Sequence, residues 1–302
     1  MHIAVTGVSG FIGAEIARQL KGAGHTVAGL VRKTSNRDHL VGVVDRFVVG
    51  DHADASCWDE LLDGADCVVH NSADWRAIAG NKMDFDQHLQ SNVIGSLRLL
   101  KASAPRQFVF VSTIAVHHDM RERWGGVIDE DHPLRPGSDY GAYKAAVEAH
   151  LWAEHYSAGR NTSAVRPCGV YGVDPRLARS IGFPFIKAIK TGERFDRPGG
   201  GKFVHVKDVA AAIVAIVGNT DAAGRPFNLV DCYARWADWA KITGELLGIE
   251  LDIDFSSSDK PTNEFDMAAA KSLGVDDPRF LSRGLDGIRE HMRELIEVAD
   301  RK

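Results

Sequence analysis

Short runs of apolar residues, separated by stretches with helical spacing, fill the first two-thirds of the chain. His2–Thr6, Thr26–Val31 and Arg46–Val49 read as strands, followed by 67–69, 108–111 and 161–166. Between the first two lies 11–21, where Ile12, Ile16, Ala17 and Leu20 share one helical face and Gly22 and Gly24 end the helix. A short polar helix precedes the third strand, and further helices are predicted over Trp58–Leu62, 84–102 and 140–155. Strands that are apolar throughout are covered on both faces, and their alternation with helices predicts a parallel sheet. Short loops and right-handed crossovers make it doubly wound, an α/β fold.

After Tyr171 the pattern loosens. Pro175, Pro184, Pro198 and the run Gly199-Gly200-Gly201 interrupt it, before Val204-His205-Val206 and a helix over 208–217 restore the α/β style. The remainder to Lys302 is helix-rich and polar, punctuated by Pro261 and Pro278. This predicts a nucleotide-binding type of doubly wound domain from 1–171 plus about 203–232. A smaller domain, about 172–202 plus 233–302, rests at the C-terminal edge of the sheet and carries the substrate side.

Composition narrows the classes. With 302 residues, 44% hydrophobic and 25% charged, the chain is globular rather than disordered or fibrous. Lys plus Arg number 36 against 41 Asp plus Glu, a net charge of −5, which leaves no electrostatic footprint for nucleic acid or an anionic membrane as partner. The longest apolar run, 209–217, is nine residues, far short of the ~20 of a membrane helix. Cys57, Cys67, Cys168 and Cys232 form no CxxC pair and no zinc-spaced cluster, so no metal is expected, and they read as reduced thiols. Met1-His2-Ile3-Ala4-Val5 passes directly into a glycine turn without a leader pattern, and the expected location is cytoplasmic.

Thr6-Gly7-Val8-Ser9-Gly10-Phe11-Ile12-Gly13 joins the first strand to the first helix with GxxGxxG spacing. Gly7 permits the tight turn, Gly10 lets backbone approach a pyrophosphate, and Gly13 lets the helix pack on the strand. The N–H groups of Phe11, Ile12 and their neighbours at the helix start suit phosphate. A dinucleotide cofactor is therefore expected. An NAD site places an acid at the end of the second strand, to hold the ribose 2′-hydroxyl. Here that strand ends Val31-Arg32-Lys33-Thr34-Ser35. Arg32 and Lys33 stand where a 2′-phosphate lies, with Ser35 as a donor, which favours NADP while leaving NAD possible.

Tyr140 and Lys144 are spaced i and i+4, so both side chains share one helical face. A nearby ammonium favours the phenolate and lowers the pKa of a tyrosine otherwise too weak an acid at neutral pH. The fifth strand ends Val111-Ser112-Thr113, and Thr113 is placed to hydrogen-bond a substrate oxygen beside the Tyr140 hydroxyl. Trp75 and Arg76, after the fourth strand, overlook the same place: Trp75 as a stacking surface, Arg76 as a partner for an anionic substrate, or both as ordinary packing and surface residues.

With these segments in view, the chain resembles the extended short-chain dehydrogenase/reductases, the NAD-dependent epimerase/dehydratase family, over nearly its whole length. Gly50-Asp51 resembles the acid at the adenine, His70-Asn71-Ser72-Ala73 the turn under the cofactor, and Asn92-Val93-Ile94-Gly95 the family's N-V-x-G helix. Asp129-Glu130 through Pro136 is similar to the stretch before the tyrosine. Arg166-Pro167 through Tyr171-Gly172 resembles R-P-x-x-V-Y-G, and Phe203 through Val209 resembles F-V-H-V-x-D-V. The resemblance implies a Rossmann-type fold and a catalytic group of Thr113, Tyr140 and Lys144, with Asp51, Ser72, Ala73, Asn92 and Pro167 joining the glycine loop around the cofactor. It also implies a homodimer built on the helices over 84–102 and 140–155.

Three departures narrow the reading. The family's 4,6-dehydratases carry Asp-Glu directly after the threonine, whereas Thr113 is followed by Ile114-Ala115-Val116. Many of its nucleotide-sugar epimerases have Asn where Gly169 stands, so a substrate role for Gly169 is weak. Its usual Tyr-Gly is replaced by His117-His118, read as solvated loop side chains because adjacent residues rarely chelate one ion without further partners. The expected activity is an NADP-dependent dehydrogenase or reductase acting on a secondary alcohol or carbonyl of a small metabolite. A nucleotide-sugar epimerase is the alternative, and a non-catalytic NADP(H) sensor a more distant third.

Overall fold

A computed structural model describes residues 1–78, 84–117, 126–192 and 197–301. In chain order its strands are β1 (His2–Thr6), β2 (Thr26–Val31), β3 (Arg46–Val49), β4 (Cys67–His70), β5 (Gln107–Val111), β6 (Val127–Ile128), β7 (Thr162–Pro167), β8 (Gly169–Tyr171), β9 (Gly200–His205), β10 (Arg225–Leu229), β11 (Cys232–Arg235) and β12 (Glu264–Phe265). Seven of them form one sheet in the order β10-β7-β5-β4-β1-β2-β3, and every pairing in it is parallel. All residues of β4, β5 and β7 are buried, as continuous apolar strands require.

The chain moves from β1 outward to β3, then returns to place β4 on the other side of β1. Loops leaving β1 and β4 therefore diverge, and the crevice between them is where doubly wound sheets take ligands. One face of the sheet is covered by the helices Phe11–Gly22 and Val206–Ile216, whose Ile16, Leu20, Val209 and Ile213 join Val5, Val69 and Val109. The other face is covered by Gly95–Ala102 and Asp139–Ala158, which bring Leu99, Leu100, Tyr143 and Val147 against Phe108 and Phe110. A third core gathers Tyr171, Phe185, Phe203, Trp239, Ile288 and Met292 beside the three-stranded sheet β11-β9-β8.

Three expected elements differ. The helix expected over 84–102 is interrupted: Phe85–His88 is α-helical, Leu89–Ile94 is a π turn, and the α-helix resumes at Gly95. Val204-His205-Val206 restores the α/β style as a strand leading into a helix, but β9 ends at His205 and belongs to the three-stranded sheet rather than the main one. The main sheet gains instead an edge strand, β10, which the hydropathy pattern hides because Arg225, Pro226 and Asn228 break its apolar run.

Among the described residues, no helix is long and apolar enough to cross a membrane.

Candidate active site

The glycine loop is built as its spacing predicts. Gly7 adopts φ +69°, a left-handed conformation that favours glycine. The Gly10 N–H donates to the Gly7 carbonyl (3.0 Å), closing the turn. Gly10 begins the helix Phe11–Gly22 without a side-chain cap, and no acid lies in the first turn. The first N–H groups of a helix have no partner inside it, so this end offers donors and the positive end of the helix dipole to a phosphate. A Cβ on Gly13 would lie 2.1 Å from the Gly7 carbonyl oxygen. The loop therefore fits a dinucleotide pyrophosphate and tolerates no side chain at Gly13. Gly13→Ala is expected to cost about 1–3 kcal/mol of stability through overpacking and to weaken cofactor binding. Unchanged melting temperature and unchanged Kd by calorimetry would remove this account.

The opposite wall is held by a hydrogen-bond chain. Thr6 Oγ1 accepts the N–H groups of Asn71 and Ser72 (3.1 Å each) and lies 2.7 Å from His70 Nδ1. Ser96 Oγ donates to the Asn92 carbonyl (2.6 Å), so it accepts from His70 Nε2 (2.8 Å), and His70 Nδ1 receives the Thr6 proton. Burial, first, and the nearby His52 and Lys144 hold His70 well below its usual pKa, so the imidazole is neutral. Asn92 is fully buried: its amide oxygen accepts the Asp74 N–H (2.6 Å), and its NH2 reaches the Asp74 carbonyl (3.2 Å) and His88 (3.0 Å). It thus shapes the loop carrying Ser72 and Ala73 rather than facing the crevice itself.

At the end of β2 Arg32 and Lys33 are exposed, and Ser35 Oγ accepts the Arg32 N–H (3.2 Å). Asp51 is held down to about 2 chiefly by its hydrogen bond from His52, with Arg32 adding a smaller pull. The two ring nitrogens of His52 face Asp51 (3.2 Å) and the Ser91 carbonyl (2.9 Å).

The candidate catalytic residues gather where β5 stops. Thr113 caps the turn Ile114–Val116, its Oγ1 accepting the Ala115 N–H (3.2 Å). The helix Asp139–Ala158 starts on a Ser138 cap (3.2 Å to the Gly141 N–H). A Cβ on Gly141 would come 2.4 Å from the Ala115 carbonyl, so the helix seats directly on the Thr113 loop. That contact brings Tyr140 beside the Thr113 loop, and Thr113 pulls the phenol pKa modestly down. One turn on, Lys144 is buried, and its Nζ donates to the Val111 carbonyl (2.7 Å). Trp75 is 55% exposed, and its ring centre lies 5.0 Å from that of Tyr140.

Several expectations change. Lys144 is expected to lower the Tyr140 pKa, but burial wins and the phenol is pushed up to about 12. Lys144 is itself brought down to about 7 by burial. His117 is not solvated: it is 7% exposed, accepts from Arg166 Nη1 (3.1 Å), and is pushed down to about 3 by burial and then by Arg166. His118 lies outside the described residues. Gly169 is a packing residue, because a Cβ there would stand 2.9 Å from the Lys202 carbonyl. Arg76 is engaged with Asp74 (3.0 Å). Pro167 ends β7 beside Leu229. The residues sequence reasoning missed are Gly141 and the buried Ser112, Glu148 and Arg166. Glu148 lies four positions after Lys144, which was the available signal.

The cysteines are free thiols, and among the described residues no His, Cys, Asp or Glu cluster suits a metal.

Comparison with known proteins is consistent across sequence and structure. The family model for the NAD dependent epimerase/dehydratase family matches residues 3–229. A dTDP-glucose 4,6-dehydratase of Streptomyces griseus is 32% identical over 246 residues, 76% of this chain and 73% of its own. A 2-alkyl-3-oxoalkanoate reductase of Stenotrophomonas maltophilia is 32% identical over 190 residues, 59% of this chain and 55% of its own. The solved UDP-glucuronic acid 4-epimerase of Bacillus cereus, in complex with UDP-glucuronic acid and NAD, superposes with a TM-score of 0.77 at 22% identity, over 98% of this chain and 100% of that one.

Proposed function

The chain belongs to the NAD-dependent epimerase/dehydratase family of extended short-chain dehydrogenase/reductases, enzymes dependent on NAD(P), and from that premise we propose that it is an NADP-dependent dehydrogenase or reductase of a secondary alcohol or carbonyl on a small metabolite. The observation that carries the reading is the seating of the Tyr140 helix on the Thr113 loop at Gly141, with buried Lys144 one turn on, at the crevice the glycine loop opens. The glycine loop would hold the pyrophosphate, Asp51 the adenine side, and Ser72 and Ala73 the wall opposite. When bound, the nicotinamide donates or accepts a hydride at the carbon bearing the substrate oxygen. Tyr140 gives that oxygen its proton in reduction and removes it in oxidation. Thr113 orients the oxygen and the Tyr140 hydroxyl together. Lys144 contributes a positive charge under the phenol whenever it is protonated.

Dehydration is disfavoured. It needs an acid and a base at the carbon beside the ketone, and the positions after Thr113 are Ile114, Ala115 and Val116. The NADP preference rests on Arg32 and Lys33 at the end of β2, where no carboxylate stands. Arg32→Ala is expected to weaken NADPH binding roughly tenfold to a hundredfold, as charge-assisted hydrogen bonds worth about 1.5–3 kcal/mol are lost. NADH binding should change little. Equal losses for both nucleotides would overturn the preference.

A nucleotide-sugar epimerase is the second reading, supported by the likeness to UDP-glucuronic acid 4-epimerase. There the same groups oxidise an alcohol and return the hydride to the other face. Mass analysis of nucleotide released on denaturation separates the two. An epimerase returns its hydride and retains its cofactor, whereas a reductase exchanges it every turnover. An empty protein that binds NADPH more tightly than NADH supports the reductase; stoichiometric NAD supports the epimerase.

We also infer a cytoplasmic homodimer that joins the faces of Phe85–Ala102 and Asp139–Ala158. Phe85 is 49% exposed, and Leu89, Val93 and Leu97 are half-buried on that side. A monomeric mass by light scattering at micromolar concentration would remove the dimer. The division into a cofactor domain (1–171 plus about 203–232) and a substrate domain is part of the same reading.

A further inference from the structure

Behind Lys144 lies a buried polar network that the chemistry above leaves without a task. Glu148 follows Lys144 by one helical turn and is 1% exposed. Arg166, on β7, is fully buried and grips it: Nε lies 3.0 and 3.2 Å from the two carboxylate oxygens, and Nη2 lies 2.6 Å from Oε2. The Ser112 hydroxyl donates to Oε1 of the same carboxylate. The remaining guanidinium nitrogen, Nη1, donates to His117 Nε2 (3.1 Å) and to the Glu130 carbonyl (3.3 Å). A guanidinium only donates, so His117 Nε2 carries no proton, and its Nδ1–H donates to the Pro133 carbonyl (3.2 Å). Every member is thereby oriented, and the network ties the loop of Thr113 to the helix of Tyr140.

Such a network is a poor way to gain stability. Replacing a buried ion pair by apolar side chains of similar volume is often neutral or favourable. Its position suggests another use. Lys144 is buried among the rings of Phe110 (4.4 Å from Nζ), Tyr143 (4.7 Å) and Tyr140 (5.7 Å). The titratable groups facing it are those two tyrosines and Glu148 on its own helix, and His70 from β4, which is neutral. β5 contributes the Phe110 ring and the Val111 carbonyl, and β7 contributes Arg166, whose charge lies against Glu148. Glu148 is thus the one anion facing Lys144 among the described residues.

We propose that Glu148 is a positioning residue that keeps Lys144 an ammonium inside an apolar pocket, and that Arg166, Ser112 and His117 hold its carboxylate in place for that task. Burial alone drives Lys144 toward the neutral amine, and the Glu148 carboxylate is the group that opposes this. With Glu148 in place the lysine still titrates at about 7, so loss of the carboxylate neutralises it across the physiological range. The inference rests on the Tyr140/Lys144 reading of the site.

The test is the titration of Lys144 in cofactor-free protein, followed by the 13Cε shift of labelled lysine and assigned by its disappearance in Lys144→Arg. Glu148→Gln is expected to move the midpoint down by at least one pH unit, and Glu148→Asp to restore part of it. In turnover, Glu148→Gln should lose about tenfold in carbonyl reduction at pH 8 and little at pH 5.5, because only the protonated fraction of Lys144 changes. A loss equal at every pH, or an unmoved midpoint, would mean a purely structural role and overturn the proposal. If Glu148→Gln fails to fold because Arg166 is left unpaired, Glu148→Leu with Arg166→Met leaves no lone buried charge. That pair should fold and show a shift in the same downward direction, smaller because the Arg166 charge leaves with the anion; a wild-type midpoint there also overturns the proposal. Failure of the underlying reading is separate: Tyr140→Phe would then retain turnover, while the Lys144 midpoint still reports its coupling to Glu148.

Discussion

Replacing Tyr140 with Phe is expected to lower turnover by roughly 10²–10⁴-fold, the range that one positioned proton donor or acceptor contributes. The substitution removes one oxygen. The ring remains against Trp75, whose centre lies 5.0 Å away, and against Tyr143 (6.2 Å). The fold and the glycine loop should therefore be untouched, and NADPH affinity should stay within a few-fold of wild type. Loss falls on kcat, because the proton moves only as the carbonyl is reduced or the alcohol oxidised. The pH profile gives the reason such a tyrosine needs help. Burial pushes the hydroxyl up to about 12, with Thr113 pulling modestly the other way. In that state the phenol stays protonated, a weak acid and no base near neutrality, so oxidation should be slow at pH 7 and climb with pH. A Tyr140→Phe protein that keeps near-wild-type turnover on a true substrate would end this mechanism.

Acid is expected to unfold the protein steeply, beginning near pH 6. Two buried histidines, His70 and His117, and the half-buried His205 each use a ring lone pair. His70 Nδ1 accepts from Thr6, His117 Nε2 accepts from Arg166, and His205 Nδ1 accepts the Lys207 N–H (3.1 Å) at the start of the helix Val206–Ile216. Burial, first in each case, and nearby charges hold His117 and His205 down to about 3 and His70 well below the usual value of 6.5. Their folded pKa values lie under the unfolded one, so below pH 6.5 the unfolded chain binds protons that the folded chain refuses. Stability is then whole above pH 6.5 and falls as the pH drops. Each group contributes a slope of up to about 1.4 kcal/mol per pH unit. Three together reach roughly 6 kcal/mol by pH 5, much of an ordinary domain's stability. Glu130, Asp208 and Asp231, raised by burial, take up protons in the folded state and offset part of this in the lower range. Thermal melts at pH 7.5 and 5.0 should differ by about 5–10 °C. Equal melting temperatures would show that these rings protonate without breaking their contacts.

How much of this could be read from residues alone follows from how local each cause is. Gly7, Gly10 and Gly13 answer steric demands within one turn, so their spacing betrays the loop. Tyr140 and Lys144 share a helical face, and Thr113 closes a strand, so the group was visible as a pattern. What stayed hidden depends on partners distant in sequence. His117 looks like a loop histidine until Arg166, 49 positions on, arrives from β7. Gly169 looks like a lost substrate contact until the Lys202 carbonyl is seen to fill the space a side chain needs. The Tyr140 pKa was argued from Lys144, but burial is set by the whole pocket and outweighs it. The π turn at Leu89–Ile94 has no period of its own, and it lies in the helix that brings Asn92 to Asp74. β10 escaped notice because an edge strand tolerates Pro226 and Arg225, which a central strand would not.

That edge strand has a consequence for how the protein is made. β7 is buried along its whole length, yet its outer neighbour, β10, begins 58 residues after the last strand pairing at Pro167 does, with β8, β9 and several helices in between. As the chain leaves the ribosome from its N-terminus, the other six strands of the sheet are complete while β7 still presents bare N–H and C=O groups to its surroundings. The side chain of Glu130 likewise waits for the Asn228 N–H (2.8 Å) that pairs with it. A nascent or truncated chain that stops before Leu229 thus carries an open parallel edge, the template on which sheets recruit foreign strands. Synthesis past Leu229 converts that edge from a hazard into the margin of a finished sheet.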